Sequence, residues 1–276
     1  MINLTLVYLL FNWLLIVGSI YLGSLNPYLY PISFFVIANR QFANYLIGHE
    51  GVHGLIVKNK WCNDFISRYF CLFLVYVSFD TYKTYHLSHH EFLGTHLDPD
   101  KSLYDFYPVD RKMFFKNLFW YSVTFKMFRD FIVYFTPFYA LIKARSLSKL
   151  LQSDCLEYLL FNGLILVLLG QSGYLGYYVL YWLIPLILFI PYYYFVSALQ
   201  HGLIHRAENG INSRNISGHP LVMEIFLPCS TNYHGIHHEY PNIAFYNLRK
   251  VYLKKNKPGS SYLKSIQELL PSQRIK

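Results

Sequence analysis

Apolar residues fall along this chain in long unbroken runs rather than in short alternations, which favours helices over strands. The first run, LTLVYLLFNWLLIVGSIYL, covers Leu4 to Leu22. About 19 apolar residues suffice to cross roughly 30 Å of hydrocarbon. No basic segment precedes it and no small-residue cleavage site follows, so it reads as a span and not a signal peptide. A turn is expected at GSLNP, where Pro27 ends the helix. A second run goes from about Tyr28 to Ile47 and holds one charge, Arg40. Two more come late: Leu156 to Gly170, and Tyr174 to Leu199 with Pro185 and Pro191 as expected kinks. Only QSG separates them, so they form a tight hairpin. Phe65 to Phe79 is apolar but short and contains Arg68, which suits a partly buried or interfacial helix. Met113 to Phe135 mixes aromatics with Lys116, Lys126 and Arg129, the pattern of a helix lying at a membrane interface.

Charge then sets sidedness. Of the 24 Lys and Arg, 23 lie in residues 48–155 and 200–276, and Arg40 is the other. The short loops 23–27 and 171–173 hold none. Cationic loops stay on the cytoplasmic side. The expectation is an all-α membrane protein, a single domain over residues 1–276. It has four transmembrane helices in two hairpins, both termini cytoplasmic, and a cytoplasmic helical cap. Composition agrees: 54% of residues are hydrophobic and only 14% charged, against roughly 25% charged in soluble domains. The net charge of +9 follows from sidedness and does not call for nucleic acid. The four cysteines, Cys62, Cys71, Cys155 and Cys229, form no CxxC pair, so no zinc ribbon, iron–sulfur site or disulfide framework is indicated.

Against this background the twelve histidines stand out. Ten sit in four windows of five residues: HEGVH (His49, His53), HLSHH (His86, His89, His90), HGLIH (His201, His205) and HGIHH (His234, His237, His238). Spacings of three and four put side chains on one helix face, so each window aims its imidazoles one way. All four windows lie in the segments read as cytoplasmic, the first and third just past a span. Crowded imidazoles repel one another once protonated, and a metal removes that penalty by taking the neutral lone pairs. A single zinc takes three or four protein ligands, so about ten nitrogens suit two ions. Imidazole alone leaves iron, copper, zinc and nickel open. His96 and His219 lie outside the windows and read as structural.

The three motifs HxxxH, HxxHH and HxxHH resemble those of the integral-membrane fatty acid desaturase and hydroxylase superfamily. NRQFANYLIGHEGVH is similar to the segment entering its first box, YHLSHHEFLGTHLDPD to its second box with a trailing Asp-Pro-Asp, and NYHGIHHEYPNIAFYNLRKV to its third. HGLIH stands where the family carries a further ligand after the last span. Together these cover most of residues 30–255. The resemblance implies two iron ions and O2 as co-substrate. It implies an external electron donor such as ferredoxin, rubredoxin or a small cytochrome, and a long apolar lipid entering from the bilayer. It also implies that His49, His53, His86, His89, His90, His201, His205, His234, His237 and His238 are the metal ligands. At His201 members of the family can carry a non-histidine residue. No catalytic side chain beyond the ligands is expected. Asp98, Asp100 and Glu239, and also Glu50 and Glu91, could orient ligand imidazoles. Asp98 and Asp100 could equally brace the loop around Pro99. Arg40 in a span needs a protein partner, which the sequence does not identify.

Desaturation of a fatty acyl chain is the favoured reaction, and hydroxylation or carotenoid ring oxidation on the same scaffold are alternatives. Two rivals belong to other classes. HEGVH also fits the HExxH zinc-protease signature with Glu50 as base, which leaves the other clustered histidines without a role. A membrane haem or metal carrier would place histidines within the spans and not at their ends.

Overall fold

The computed structural model describes residues 3–101, 112, 116, 154–202, 213–256 and 259–269. The interfacial helix expected over Met113 to Phe135 lies outside the described residues apart from Lys116, and so does His205. Among the described residues the chain is helical apart from turns and one two-residue strand pair, which agrees with the all-α expectation. It divides into two compact units. Unit 1 is Met1–Thr84 with Asp130–Ile190, and unit 2 is Tyr85–Arg129 with Pro191–Lys276.

Unit 1 opens with α1, Leu4–Leu25, whose first turn is capped by Asn3 Oδ1 accepting from the Leu6 N–H at 3.1 Å. The helix runs through Gly23, Ser24 and Leu25, past where the sequence puts the turn. Asn26 then ends it and starts the 3-10 turn Pro27–Leu29 by accepting from the Tyr28 N–H. α2, Tyr30–Val52, packs back against α1. The inward residues of α1 include Thr5 and Asn12, whereas Leu10, Leu14 and Val17 point outward and are about 60% exposed, at 61%, 62% and 61%. A water-soluble helix would reverse that arrangement. An apolar outer face, over an inner face that holds polar Thr5 and Asn12 beside Leu9 and Ile16, suits a lipid environment.

The inner polar face solves the Arg40 problem. Its Nη1 lies 3.1 Å from Asn12 Oδ1 and 3.3 Å from the Tyr8 hydroxyl, and its Nε donates to Asn39 Oδ1 at 2.8 Å. Asn12 Nδ2 in turn donates to Asn44 Oδ1 at 3.0 Å. The guanidinium is thus held by neutral oxygens from both helices.

Among the described residues, two helical runs are long and apolar enough to cross a membrane. One is α1. The other is Leu175–His201, made of α6 (Leu175–Tyr178), a π-helical turn (Val179–Leu183) and α7 (Ile184–His201). Between α2 and α6 come α3 (Lys60–Ile66), α4 (Phe79–Phe92) and α5 (Cys155–Gln171). α5 is apolar but shorter, and α2 is diluted by Arg40, Gln41 and Asn44, so among the described residues two candidate spans stand against the four expected. The hairpin expected at QSG is present, with Gly173 at φ 76° closing the turn between α5 and α6.

The Phe65–Phe79 stretch folds as the end of α3, a π-helical turn (Ser67–Leu72) and a 3-10 turn (Phe73–Val75). Arg68 bridges Glu157 at 2.9 Å and Asp80 at 3.1 Å. Asp80 and Asp154 accept from each other's backbone N–H, at 3.2 and 3.0 Å, so each carboxylate serves the start of the other's helix. Burial, together with the Asp80 carboxylate, pushes Asp154 up to about 6. This ion cluster fixes the start of α4, the helix that carries the second histidine box.

Unit 2 holds the later part of α7, then α8 (Pro220–Phe226), α9 (His234–Glu239), α10 (Phe245–Lys255) and α11 (Tyr262–Leu269). A short parallel pair joins β1 (Ile216–Ser217) to β2 (Ser260–Ser261), with Ile216 opposite Ser260.

Close packing explains two glycines in unit 1. A Cβ on Gly48 would come within 2.5 Å of the Leu72 side chain, and one on Gly51 within 2.8 Å of Ser67 Cβ. Leu72 is fully buried, so it has nowhere to go. Gly48→Val should therefore destabilise the protein by about 1–3 kcal/mol through overpacking. The check is a lower unfolding temperature in detergent than for Gly18→Val, where a Cβ meets nothing within 4 Å.

Candidate metal centre

The second box sits on α4, where the i, i+3, i+4 spacing puts His86, His89 and His90 on one face, as the sequence suggests. The third box is entered differently. Cys229 and Ser230 adopt φ of 55° and 52°, the left-handed region that non-glycine residues rarely take. The chain then makes a 3-10 turn, Thr231–Tyr233, into the six-residue α9. Gln200, one residue before His201, steadies that entry by donating to Thr231 O at 2.8 Å and Thr231 Oγ1 at 3.0 Å. On the other side Asn215 Oδ1 accepts from the Ile236 N–H at 3.0 Å. A Cβ on Gly235 would meet the Asn215 side chain and Ser213 O, both at 2.9 Å. The glycine of HGIHH is therefore there for close approach of segment 213–216.

His201 closes α7. The last carbonyls of that helix need donors, and Arg214 supplies them: Nη1 to Leu199 O at 3.0 Å and Nη2 to Gly202 O at 2.9 Å. A cation there also suits the negative end of the helix dipole. Gln200, Arg214 and Asn215 were not foreseen as site residues. Gln200 was adjacent to a box and could have been flagged. The other two lie in a loop whose approach to the boxes no spacing reveals.

These elements converge on two groups of imidazoles within unit 2. His89, His201, His234 and His238 each offer one nitrogen, all within 4.8 Å of one another. His86, His90 and His237 do the same. His234 Nε2 is 3.0 Å from His201 Nε2 and also 3.0 Å from His238 Nε2. His90 Nε2 is 2.9 Å from His86 Nε2 and 3.1 Å from His237 Nε2. One ring hydrogen can serve one such neighbour, not both. Two nitrogens bound at right angles to an ion at about 2.1 Å stand about 3.0 Å apart, so these separations fit neighbouring ligands of a metal. His201, the least firmly expected of the ten, falls inside a group, while His96 and His219, read as structural from the sequence, are exposed and outside both.

His49 and His53 belong to unit 1. They close α2, with His49 in its last turn and His53 at its C-cap, ring centroids 5.1 Å apart. Glu50 is buried beside them, 4.0 Å from His49 Nδ1. Burial and the nearby Lys83 ammonium lower His53 to about 4, so it is a neutral lone-pair donor at physiological pH.

Carboxylates organise the second box. His89 Nδ1 lies 2.8 Å from Asp98 Oδ1 and 3.6 Å from Asp100 Oδ2. Asp98 also accepts from the N–H of Gly94 at 3.0 Å and of Asp100 at 2.9 Å. The Tyr85 hydroxyl donates to Asp100 Oδ1 at 2.6 Å and lies 3.0 Å from Pro99 O. Burial, the Asp100 carboxylate and the hydroxyls of Tyr193 and Tyr194 push the Tyr85 phenol well up, so it keeps that proton. Asp98 thus both braces its loop and touches the His89 imidazole, the two kinds of contact the sequence left open. Glu239 is exposed and accepts from the Tyr240 hydroxyl. Burial opposes charge on His89, but Asp100 and Asp98 outweigh it and raise its basicity. His238 goes the other way: burial and four neighbouring imidazoles push it far down.

The donor set passes a test for a metal. His89 Nε2 and His238 Nδ1 are buried nitrogens with no hydrogen-bond partner. An orphaned buried polar atom costs roughly 1–3 kcal/mol, and a cation in front of the His89 lone pair would remove its share. With Nδ1–H held by a carboxylate, Nε2 is the nitrogen left to donate, the arrangement that fixes the tautomer of metal-binding histidines.

A family model described as Fatty acid desaturase matches residues 5–264. The chain belongs to the fatty acid desaturase family. The match runs across both units and through all four histidine windows. No curated protein sequence matches the chain. Membership and the histidine groups together make this an oxidoreductase with a site suited to iron.

Removing Asp98 tests the carboxylate–imidazole contact. Asp98→Ala should weaken iron binding about 10- to 100-fold, read as iron retained against a competing chelator. Asp98→Asn keeps an acceptor for Nδ1 and should fall between.

Proposed function

We propose that the protein is a membrane-embedded, O2-dependent di-iron enzyme that introduces a double bond into a fatty acyl chain. The observation that carries this reading is the pair of imidazole groups in a chain of the fatty acid desaturase family, with His89 Nε2 buried and unused. The ligands would be His86, His90 and His237, and His89, His201, His234 and His238. His49, His53 and His205 are assigned on the family pattern.

The net reaction balances as a methylene pair, O2, two electrons and two protons giving an alkene and two waters. The electrons come from a separate carrier such as a ferredoxin, a rubredoxin or a small cytochrome. The bound iron would supply O2 activation, which no side chain can do for an unactivated C–H bond. The chain's own residues fix the tautomer of His89 through Asp98 and keep water out of a buried site. An apolar substrate suits a chain with 27 Tyr and 23 Phe.

Four spans, with both termini and the boxes on the cytoplasmic side, complete the proposal. α2 has 23 residues, about 34 Å of helix at 1.5 Å each, and its Arg40 is met by Asn and Tyr oxygens. The placement of 23 of the 24 Lys and Arg supports the sidedness. The unbroken family match over both units supports a single functional domain.

Expression in a host of defined lipids, followed by fatty acid profiling, tests the reaction. The expected result is a new unsaturated acid with wild type and none with His89→Ala, and about two irons per purified wild-type chain. Identical profiles from the two, with protein, iron and reductase intact, would rule desaturation out, and a hydroxy acid instead would assign hydroxylation.

A further inference from the structure

α10 follows the third box after a five-residue turn and carries Arg249, Lys250, Lys254 and Lys255 in eleven residues, with no acidic residue among them. Its inner face is set by helical spacing. Phe245 and Leu248 are buried, and Tyr252 packs against Tyr233 with ring centroids 4.9 Å apart and the planes tilted by 35°. Tyr233 is the residue immediately before His234, and it is 93% buried, with 7% exposed. The outer face presents Arg249, Lys250 and Lys254 to solvent, with Tyr246 and Leu253 exposed among them. Lys255 lies over the Tyr240 ring at 4.9 Å and is engaged there. A run of cations on a rigid helix costs self-repulsion, and unlike Arg40 or Arg68 these three are not drawn into a polar cluster of the fold. What distinguishes this face from other basic surface is what lies under it: one aromatic pair separates it from an imidazole of the four-histidine group.

We propose that the outer face of α10 is the docking surface for an acidic electron-carrier protein. The proposal rests on the iron reading above, which requires two electrons from outside. Arg249, Lys250 and Lys254 attract the acidic carrier, and Tyr246 and Leu253 give it apolar contact. Tyr252 and Tyr233 make the packed connection from that face to His234. Each encounter passes one electron: the carrier is oxidised by one unit, one ferric ion becomes ferrous, and two encounters supply one turnover. Charge complementarity of this kind acts mainly on the rate of encounter and its salt dependence.

The test uses the full chain, iron-loaded, in nanodiscs of phosphatidylcholine. The probes are a plant-type ferredoxin, a rubredoxin and the soluble haem domain of a small cytochrome, each reduced, with carrier oxidation followed by stopped flow. At low salt the triple variant Arg249→Gln/Lys250→Gln/Lys254→Gln should react about tenfold or more slowly than wild type with at least one carrier, with a flatter salt dependence. Photoreduced deazaflavin should reduce both proteins equally, and Arg249→Lys/Lys250→Arg/Lys254→Arg should behave as wild type. Affinity of the oxidised carriers for iron-stripped discs should show the same loss without turnover. Equal rates and slopes for wild type and triple variant, or no oxidation of any carrier while deazaflavin still reduces the iron, would overturn the proposal. A difference seen only when phosphatidylglycerol is added would assign the face to lipid headgroups and also overturn it. Absence of deazaflavin-reducible iron would instead sink the iron reading, and this proposal with it.

Discussion

Seven imidazoles gather in unit 2, six of them with a ring nitrogen about 3 Å from another's, and most are shielded from water. Each proton added to such a set makes the next more costly, and burial penalises every charged form. The set is stable only if the rings stay neutral and their lone pairs meet something positive. That requirement organises the rest of unit 2. α4 supplies three rings from one face, α9 three more, and α7 ends on His201. Asp98 breaks the symmetry of the set. With Asp100 it raises the basicity of His89, while burial and neighbouring imidazoles push His238 down.

Holding so many rings together strains the backbone around the third box. Consecutive left-handed residues at Cys229 and Ser230 cost of order 1 kcal/mol or more each. They persist because Gln200, Asn232 and Asn215 fix the segment from outside: Gln200 through Thr231, Asn232 by donating to Ile216 O at 2.8 Å, Asn215 through the Ile236 N–H. A free loop would relax out of this conformation. The same side chains that satisfy the backbone therefore set where His234, His237 and His238 point.

What the sequence made legible was local. Histidine spacing reports helix faces directly, so the second box was readable to the residue, and the apolar runs marked α1 and the hairpin of α5 and α6. Relations across the fold were not readable. Arg40 finds its oxygens on Asn12 and Tyr8, 28 and 32 residues away on another helix, and no pattern in α2 points to them. Arg214 reaches back to the end of α7 through tertiary folding alone. His201 could be ranked only by analogy, whereas the structure sets its Nε2 against His234. α2 shows the converse limit: its polar residues lower its apolar character, yet they are the inward partners that let it lie against α1.

The two π-helical turns of unit 1 show how the same economy of donors works away from the site. A π turn misaligns carbonyls from their usual donors, and in hydrocarbon no water replaces them. Side chains do so here. Trp13 Nε1 donates to Phe70 O at 3.2 Å, Tyr30 to Leu180 O at 2.8 Å, and Gln41 Nε2 to Trp182 O at 3.0 Å. Trp182 Nε1 donates to Leu74 O at 2.8 Å, and its ring stacks on Trp13 at 5.8 Å with the planes 4° apart. Each indole therefore serves twice, as apolar packing and as a backbone donor. These contacts tie α1 and α2 to both π turns, one of which packs against the glycine face of α2 just ahead of His49 and His53. The polar atoms of α1 and α2 do structural work between the helices, and α2, held in this way, carries the first box at its end.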